Sequence, residues 1–166
     1  MSGLFCLAVL ESEDEKLAEA VTRLMKKSAK WHNTSVLISC SDKFGFLNTS
    51  DIDLLIISPN AHFTKKTDLS AKCILLPGTL LDSLNGVESD YVITYGMSPR
   101  DTVTASSISD DGIVITLQRE LVTLSGEILE RQDLPKMPLR LPPPEKMMVV
   151  ISALLLIGVP PDTISI

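Results

Sequence analysis

The chain has 166 residues, 45% of them hydrophobic, and a formal net charge of -6. That length and apolar content suit one compact domain spanning residues 1–166 with its own core, and the acidic balance argues against a nucleic-acid partner, whose affinity rests on clustered Lys and Arg. The two dense basic points, Lys26-Lys27 and Lys65-Lys66, read as solvated surface.

The first ten residues lack the basic start of a signal peptide and lead into acidic positions, so export is not expected. Leu4 to Leu10 is a short apolar run of the kind buried on both faces of a parallel sheet. Ser12 then heads an acidic turn with Glu15 three residues on, the spacing of a capping box, which predicts a helix starting there. Leu17, Val21, Leu24 and Met25 recur at helical spacing, and Lys26, Lys27 and Lys30 close the pattern where positive charge suits the helix dipole.

Val36 to Cys40, Ile52 to Ser58, Lys72 to Leu76 and Tyr91 to Tyr95 are four more apolar runs bounded by turn residues. Five such runs with a long helix predict an α/β fold, a Rossmann-like three-layer domain with a mainly parallel sheet. The pieces between the middle runs, such as Thr79 to Asn85, leave room for only a turn or two of helix.

After Gly96 the pattern changes. Val103 to Ile108 and Ile113 to Leu117 flank Asp110-Asp111-Gly112, a hairpin with Asp-Gly as its turn signal, and Ser125-Gly126 marks a second hairpin between Leu121–Leu124 and Glu127–Glu130. These C-terminal antiparallel strands are expected to extend one edge of the sheet. Residues 135–144 hold five of the ten prolines and read as an extended connector, and Glu145 to Ile157 as a closing, mostly apolar helix. The apolar stretch from Met147 to Val159 is about 13 residues, short of the roughly 20 that cross a bilayer, so no membrane partner is expected. Because that helix is apolar almost all round, one side should pack on the sheet near Tyr91 to Ile93. The other needs the proline-rich connector or a second subunit, and self-association or a protein partner is the expectation.

The Tyr95-Gly96 corner, the hairpin that follows and the closing Ile157-Gly158-Val159-Pro160-Pro161-Asp162 stand in an order and spacing that resembles the second half of the central, ATP-binding domain of the Mur ligases. The resemblance covers roughly residues 90–164. It implies an α/β shell descended from a nucleotide-binding domain. In that family a Gly-x-Asn-Gly-Lys-Thr loop after the first strand holds the ATP phosphates. Here the corresponding turn is Glu11-Ser-Glu-Asp-Glu15, with no Gly or Lys. Four carboxylates would face a polyphosphate, and each like-charge contact costs on the order of 4 kcal/mol before screening at a surface-like dielectric. Counting back from Gly158, the family's helix Asn falls at about Lys146, and its preceding His among Pro142 to Pro144. The resemblance therefore implies a fold without the family's activity. No catalytic residue, metal site or cofactor is assigned.

Among candidates for chemistry, His32 and His62 have no ligand-spaced Cys, Asp or Glu. Asp51 and Asp53 read as solvated carboxylates at a strand entrance, and Cys40 and Cys73 as small buried hydrophobes in a reducing, cytoplasmic setting. The Ser/Thr-rich run Thr102 to Ser109 reads as hairpin edge. Two loops leave strand ends, where ligands collect in an open parallel sheet. Gly78 and Thr79 lie on one; Tyr95, Gly96, Ser98 and Arg100 lie on the other. Their glycines either let a backbone approach a small-molecule ligand or serve tight turns. The chain is thus expected to be non-catalytic and to act through protein contacts as a regulator or scaffold, the alternative being a small-molecule or nucleotide-binding module at these loops.

Overall fold

The computed structural model of the protein describes residues 4–12, 14–28, 35–41, 52–61 and 67–166. In chain order its elements are β1 (Leu4–Leu10), α1 (Leu17–Lys27), β2 (Ser35–Ser41), β3 (Leu54–Ile57), β4 (Thr67–Ser70), β5 (Cys73–Pro77), β6 (Leu84–Glu88), β7 (Tyr91–Tyr95), β8 (Val103–Ser109), β9 (Gly112–Leu117), β10 (Leu121–Val122), β11 (Ile128–Leu129), β12 (Gln132–Asp133) and α2 (Pro144–Leu156). One 3-10 turn, Gly78–Ser83, follows β5, and another, Pro161–Thr163, follows α2. The side chains of His32, His62, Asp51, Lys65, Lys66 and Cys40, weighed above, lie outside the described residues.

Eight strands form one sheet in the order β12-β9-β8-β7-β5-β3-β1-β2. From β2 to β7 every pairing is parallel, β8 joins β7 at Tyr95 and Val103, and β9 and β12 extend the edge in antiparallel pairing. The α/β, Rossmann-like class expected from the apolar runs is the class observed. The reason lies in the central strands: β1, β3 and β5 are apolar at successive positions, and in a strand successive side chains go to opposite faces. Leu7, Val9, Leu54, Ile56, Cys73 and Leu75 meet the two helices, while Ala8, Leu10, Leu55, Ile57, Ile74 and Leu76 form a second core on the other face.

That second face is covered differently from the first. Leu84 of β6, Ala71 after β4 and Leu80 of the 3-10 turn close it, with β4 and β6 paired to each other as a separate parallel ribbon. Neither strand was expected. Two further details correct the sequence reading. The β8–β9 hairpin turns on Asp110 and Asp111, because Ser109 pairs with Gly112, so the turn is Asp-Asp. The β10–β11 hairpin forms its own two-stranded sheet and does not extend the main one.

Helix α2 is enclosed by its own chain. No residue from Met147 to Leu156 is more than 3% exposed. It lies over β5, β7 and β8 and beside α1. Leu121, Leu124, Leu134 and Met137 belong to the same core as α2, with half-buried Leu139, Leu141, Ile164 and Ile166 packed against it. The Leu124 N–H donates to the Leu156 carbonyl at 2.7 Å, and the connector is pinned to β9 by a reciprocal pair of bonds between Met137 and Ile113, at 2.8 and 3.0 Å. The exposed face that suggested a second subunit is therefore absent among the described residues. On the sheet side Ile93 and Tyr95 make the contact, whereas Tyr91 is 40% exposed. No helix among the described residues is long and apolar enough to cross a membrane.

Candidate functional site

In an open parallel sheet the crevice for a ligand opens at the carboxyl ends of the strands where the chain reverses its direction of travel. Here that switch lies between β1 and β3, since β2 flanks β1 on one side and β3 on the other. The switch point is filled by the protein itself. The Glu11 side chain, 6% exposed, turns back onto the first turn of α1, where its carboxylate accepts the N–H of Leu17 in a short bond and that of Ala18 at 3.3 Å. Glu15 Oε1 accepts from Ser12 N–H at 3.0 Å, Ser12 Oγ at 2.7 Å and Ser58 Oγ at 2.6 Å, tying the end of β1 to the end of β3.

The helix therefore begins at Leu17 rather than at Ser12. Lys16, with φ 51, holds a left-handed conformation that breaks the acidic turn from the helix, and its side chain makes no cap bond. Only the Glu15 half of the expected capping box forms. The cap itself comes from Glu11, and its carboxylate stands where a phosphate-binding turn would present its N–H groups to a ligand. Lys146, the position that counting from Gly158 aligned with the Mur-ligase Asn, donates from Nζ to the Glu15 carbonyl at 2.6 Å and clamps this turn to α2.

The open space lies beside it, toward β7. A cleft of about 820 Å³ sits over the ends of β3, β5 and β7 and reaches the start of α2. It brings together all six residues singled out from the strand-end loops: Gly78, Thr79, Tyr95, Gly96, Ser98 and Arg100. Its size falls within the ~300–1,000 Å³ common to small-molecule sites. Sequence reasoning missed Asp101, Asp82, Glu145, Leu81 and Met97, which also line it. Asp101 had the only readable signal, standing five residues after Gly96 in the same loop.

Asp101 organises that loop. It is 5% exposed; its Oδ2 accepts the Ser98 N–H at 3.1 Å, and its own N–H donates to the Ser98 carbonyl at 3.0 Å. Ser98 Oγ accepts from Arg100 N–H at 3.2 Å, Arg119 Nη2 donates to the Arg100 carbonyl at 2.8 Å, and Thr94 Oγ1 accepts from Thr102 N–H at 3.2 Å. The glycines answer to the same carboxylate. A Cβ at Gly78 would lie 1.9 Å from Asp101 Oδ1, and one at Gly96 would lie 2.6 Å from Oδ2. The Asp101 side chain leaves room only for glycine at both positions, and Gly96 also has φ 156, a conformation that favours glycine by itself.

The remaining candidates have structural partners. Tyr95 is 1% exposed and its hydroxyl donates to the Ile57 carbonyl at 2.6 Å; burial, and then the Glu15 and Glu145 carboxylates, push its phenol far above the ordinary range. It forms the floor of the cleft and has no spare proton to offer. Burial raises the Cys73 thiol from an ordinary 9.0 to about 12, which removes it as a nucleophile. Asp53, read as solvated, accepts the Cys6 N–H at 2.8 Å through Oδ2. No group of three or more metal-ligating side chains that could hold an ion occurs among the described residues. Thr79, Ser98 and Arg100 are exposed in the cleft. Compared with protein-family models, curated proteins and solved structures, the chain matches none.

Proposed function

We propose that this chain is a non-catalytic α/β binding module, built on a shell of Mur-ligase type, that takes a small molecule in the cleft above β3, β5 and β7. One observation carries the reading. The carboxyl edge of the sheet is self-filled between β1 and β3, where Glu11 and Glu15 consume the donors, and open from β3 to β7, where hydrogen bonds made by Ser98, Thr94 and Arg119 hold the loop in shape. A preorganised loop lowers the ordering cost of binding. Absence of turnover is supported by the engaged Tyr95 hydroxyl and the strongly protonated Cys73 thiol. The reading puts the protein in the cytoplasm, where such a thiol stays reduced.

A fragment screen followed by amide chemical-shift mapping tests it. Binders should shift the amides of Gly78, Gly96 and Ser98; binders that shift only amides near α1 and leave these three unmoved would count against it.

A second reading, action through protein contacts as a regulator or scaffold, draws on Tyr91 and Val92, consecutive on β7 and 40% and 37% exposed. Native mass spectrometry of protein purified from its source cell separates the two. A retained small molecule supports the first, and a stoichiometric protein companion the second.

A further inference from the structure

The charges around the cleft are unbalanced. Asp82, Asp101 and Glu145 line it against the single guanidinium of Arg100, and none of the three carboxylates forms an ion pair with a described residue. Surface acids that water can screen would mean little. Asp101 differs, being 5% exposed and fixed by its bond to Ser98 N–H through Oδ2. No donor among the described residues reaches its Oδ1, and no fully enclosed side-chain oxygen or nitrogen in the described structure lacks a partner. Oδ1 is therefore the solvent-reached edge of a nearly buried carboxylate that lines the cleft beside Gly78. A buried carboxylate is best satisfied by a charged donor, since such hydrogen bonds are about twice as strong as neutral ones.

The rest of the lining says what kind of cation fits. Leu81 and Met97 are 44% and 54% exposed, large apolar side chains left open to solvent at the cleft. Pro59, Pro77 and Pro143 add rigid apolar wall. A bare metal ion would gain nothing from these surfaces. We infer that the cleft takes a small amphipathic organic cation, with a primary ammonium or amidinium head on Asp101 Oδ1, Asp82 and Glu145 adding to the field, and an apolar body against Leu81 and Met97. The inference rests on the binding-module reading above and gives that module its ligand class.

Three probes with one apolar body isolate the charge: phenethylamine, phenethyl alcohol and 3-phenylpropionate, each titrated against the labelled full chain with the amides of Gly78, Gly96 and Ser98 as reporters. The amine should bind at least about tenfold tighter than the alcohol, a difference of roughly 1.4 kcal/mol, and the acid should bind weakest. Asp101→Asn should erase the preference while the thermal transition confirms folding. If that variant does not fold, exposed Asp82→Asn should still weaken amine binding and leave the alcohol unchanged, and added salt should do the same. Equal or tighter binding of the alcohol or the acid overturns the cation inference and leaves the cleft as a binding site. No shift of these amides by any probe up to about 10 mM, a limit of roughly 2.7 kcal/mol, overturns the cation inference and the binding-module reading together.

Discussion

At Gly78 the identity of the residue is set by a carboxylate rather than by a turn, and at Gly96 the same carboxylate adds to a backbone φ of 156 that already favours glycine. Asp101 cannot move from the space a Cβ would need without releasing the Ser98 N–H, so Gly78→Ala should lower stability in urea by about 1–3 kcal/mol, the usual cost of overpacking. In the Gly78→Ala, Asp101→Ala double variant that cost should shrink below about 0.5 kcal/mol, because the clashing oxygen is gone. Simple addition of the two single costs would show that the contact does not matter. Glu11→Ala strips the acceptor from the Leu17 and Ala18 N–H groups and should cost about 1–3 kcal/mol, with Glu11→Gln losing less because one acceptor oxygen remains. Cys73 sets a pH limit. Its folded pKa of about 12 exceeds the ordinary 9.0, so the folded state keeps a proton that the unfolded chain gives up. Stability should hold below about pH 9 and decline as pH rises from there toward 12; denaturant melts across that window in the wild type and in Cys73→Ala should differ in slope, with the variant flatter.

The element that holds the domain together is α2, with ten consecutive buried residues from Met147 to Leu156. A chain ending at Pro143 should be insoluble or molten, since each large apolar side chain lost removes about 1.5–3 kcal/mol and whole domains rest on only about 5–15 kcal/mol. Circular dichroism showing a cooperative near-UV transition in that fragment would speak against this. Lys at Val149 or Leu155 should unfold the protein rather than dissociate it, because neither position faces outward. At this scale the sequence was legible wherever burial is two-sided. β1, β3 and β5 are unbroken apolar runs, and the helical spacing of Leu17, Val21, Leu24 and Met25 marks α1. β4 and β6 were not legible, because Thr67-Asp-Leu-Ser70 and Leu84-Asn-Gly-Val-Glu88 are too polar and too short to show alternation. The start of α1 was misplaced for a different reason: its cap, Glu11, lies six residues before the amide it satisfies, beyond any local signature. Gly158, with φ 98, receives the end of α2 as a C-terminal glycine commonly does, so part of the Leu-Gly-Val-like ending that resembles the Mur ligases is a general helix stop.

Across the whole molecule, the carboxyl edge of the sheet is divided between a closed end and an open one. That the six loop residues lie together at one edge was legible, because they stand at or just after the carboxyl ends of β5 and β7, and the rule that ligands gather there needs only strand order. The reason for its glycines and the buried carboxylate that shapes it came from packing between separate loops, which sequence spacing does not encode. The closed end carries the central claim, that the helix start where a nucleotide-binding α/β domain would hold phosphate is occupied here by Glu11 and Glu15. Calorimetric titration of the full chain with Mg-ATP, and with AMP beside it, tests that claim most directly. Neither nucleotide should give binding heat at about 1 mM, and a dissociation constant below about 100 μM, corresponding to roughly 5.5 kcal/mol, would contradict the claim.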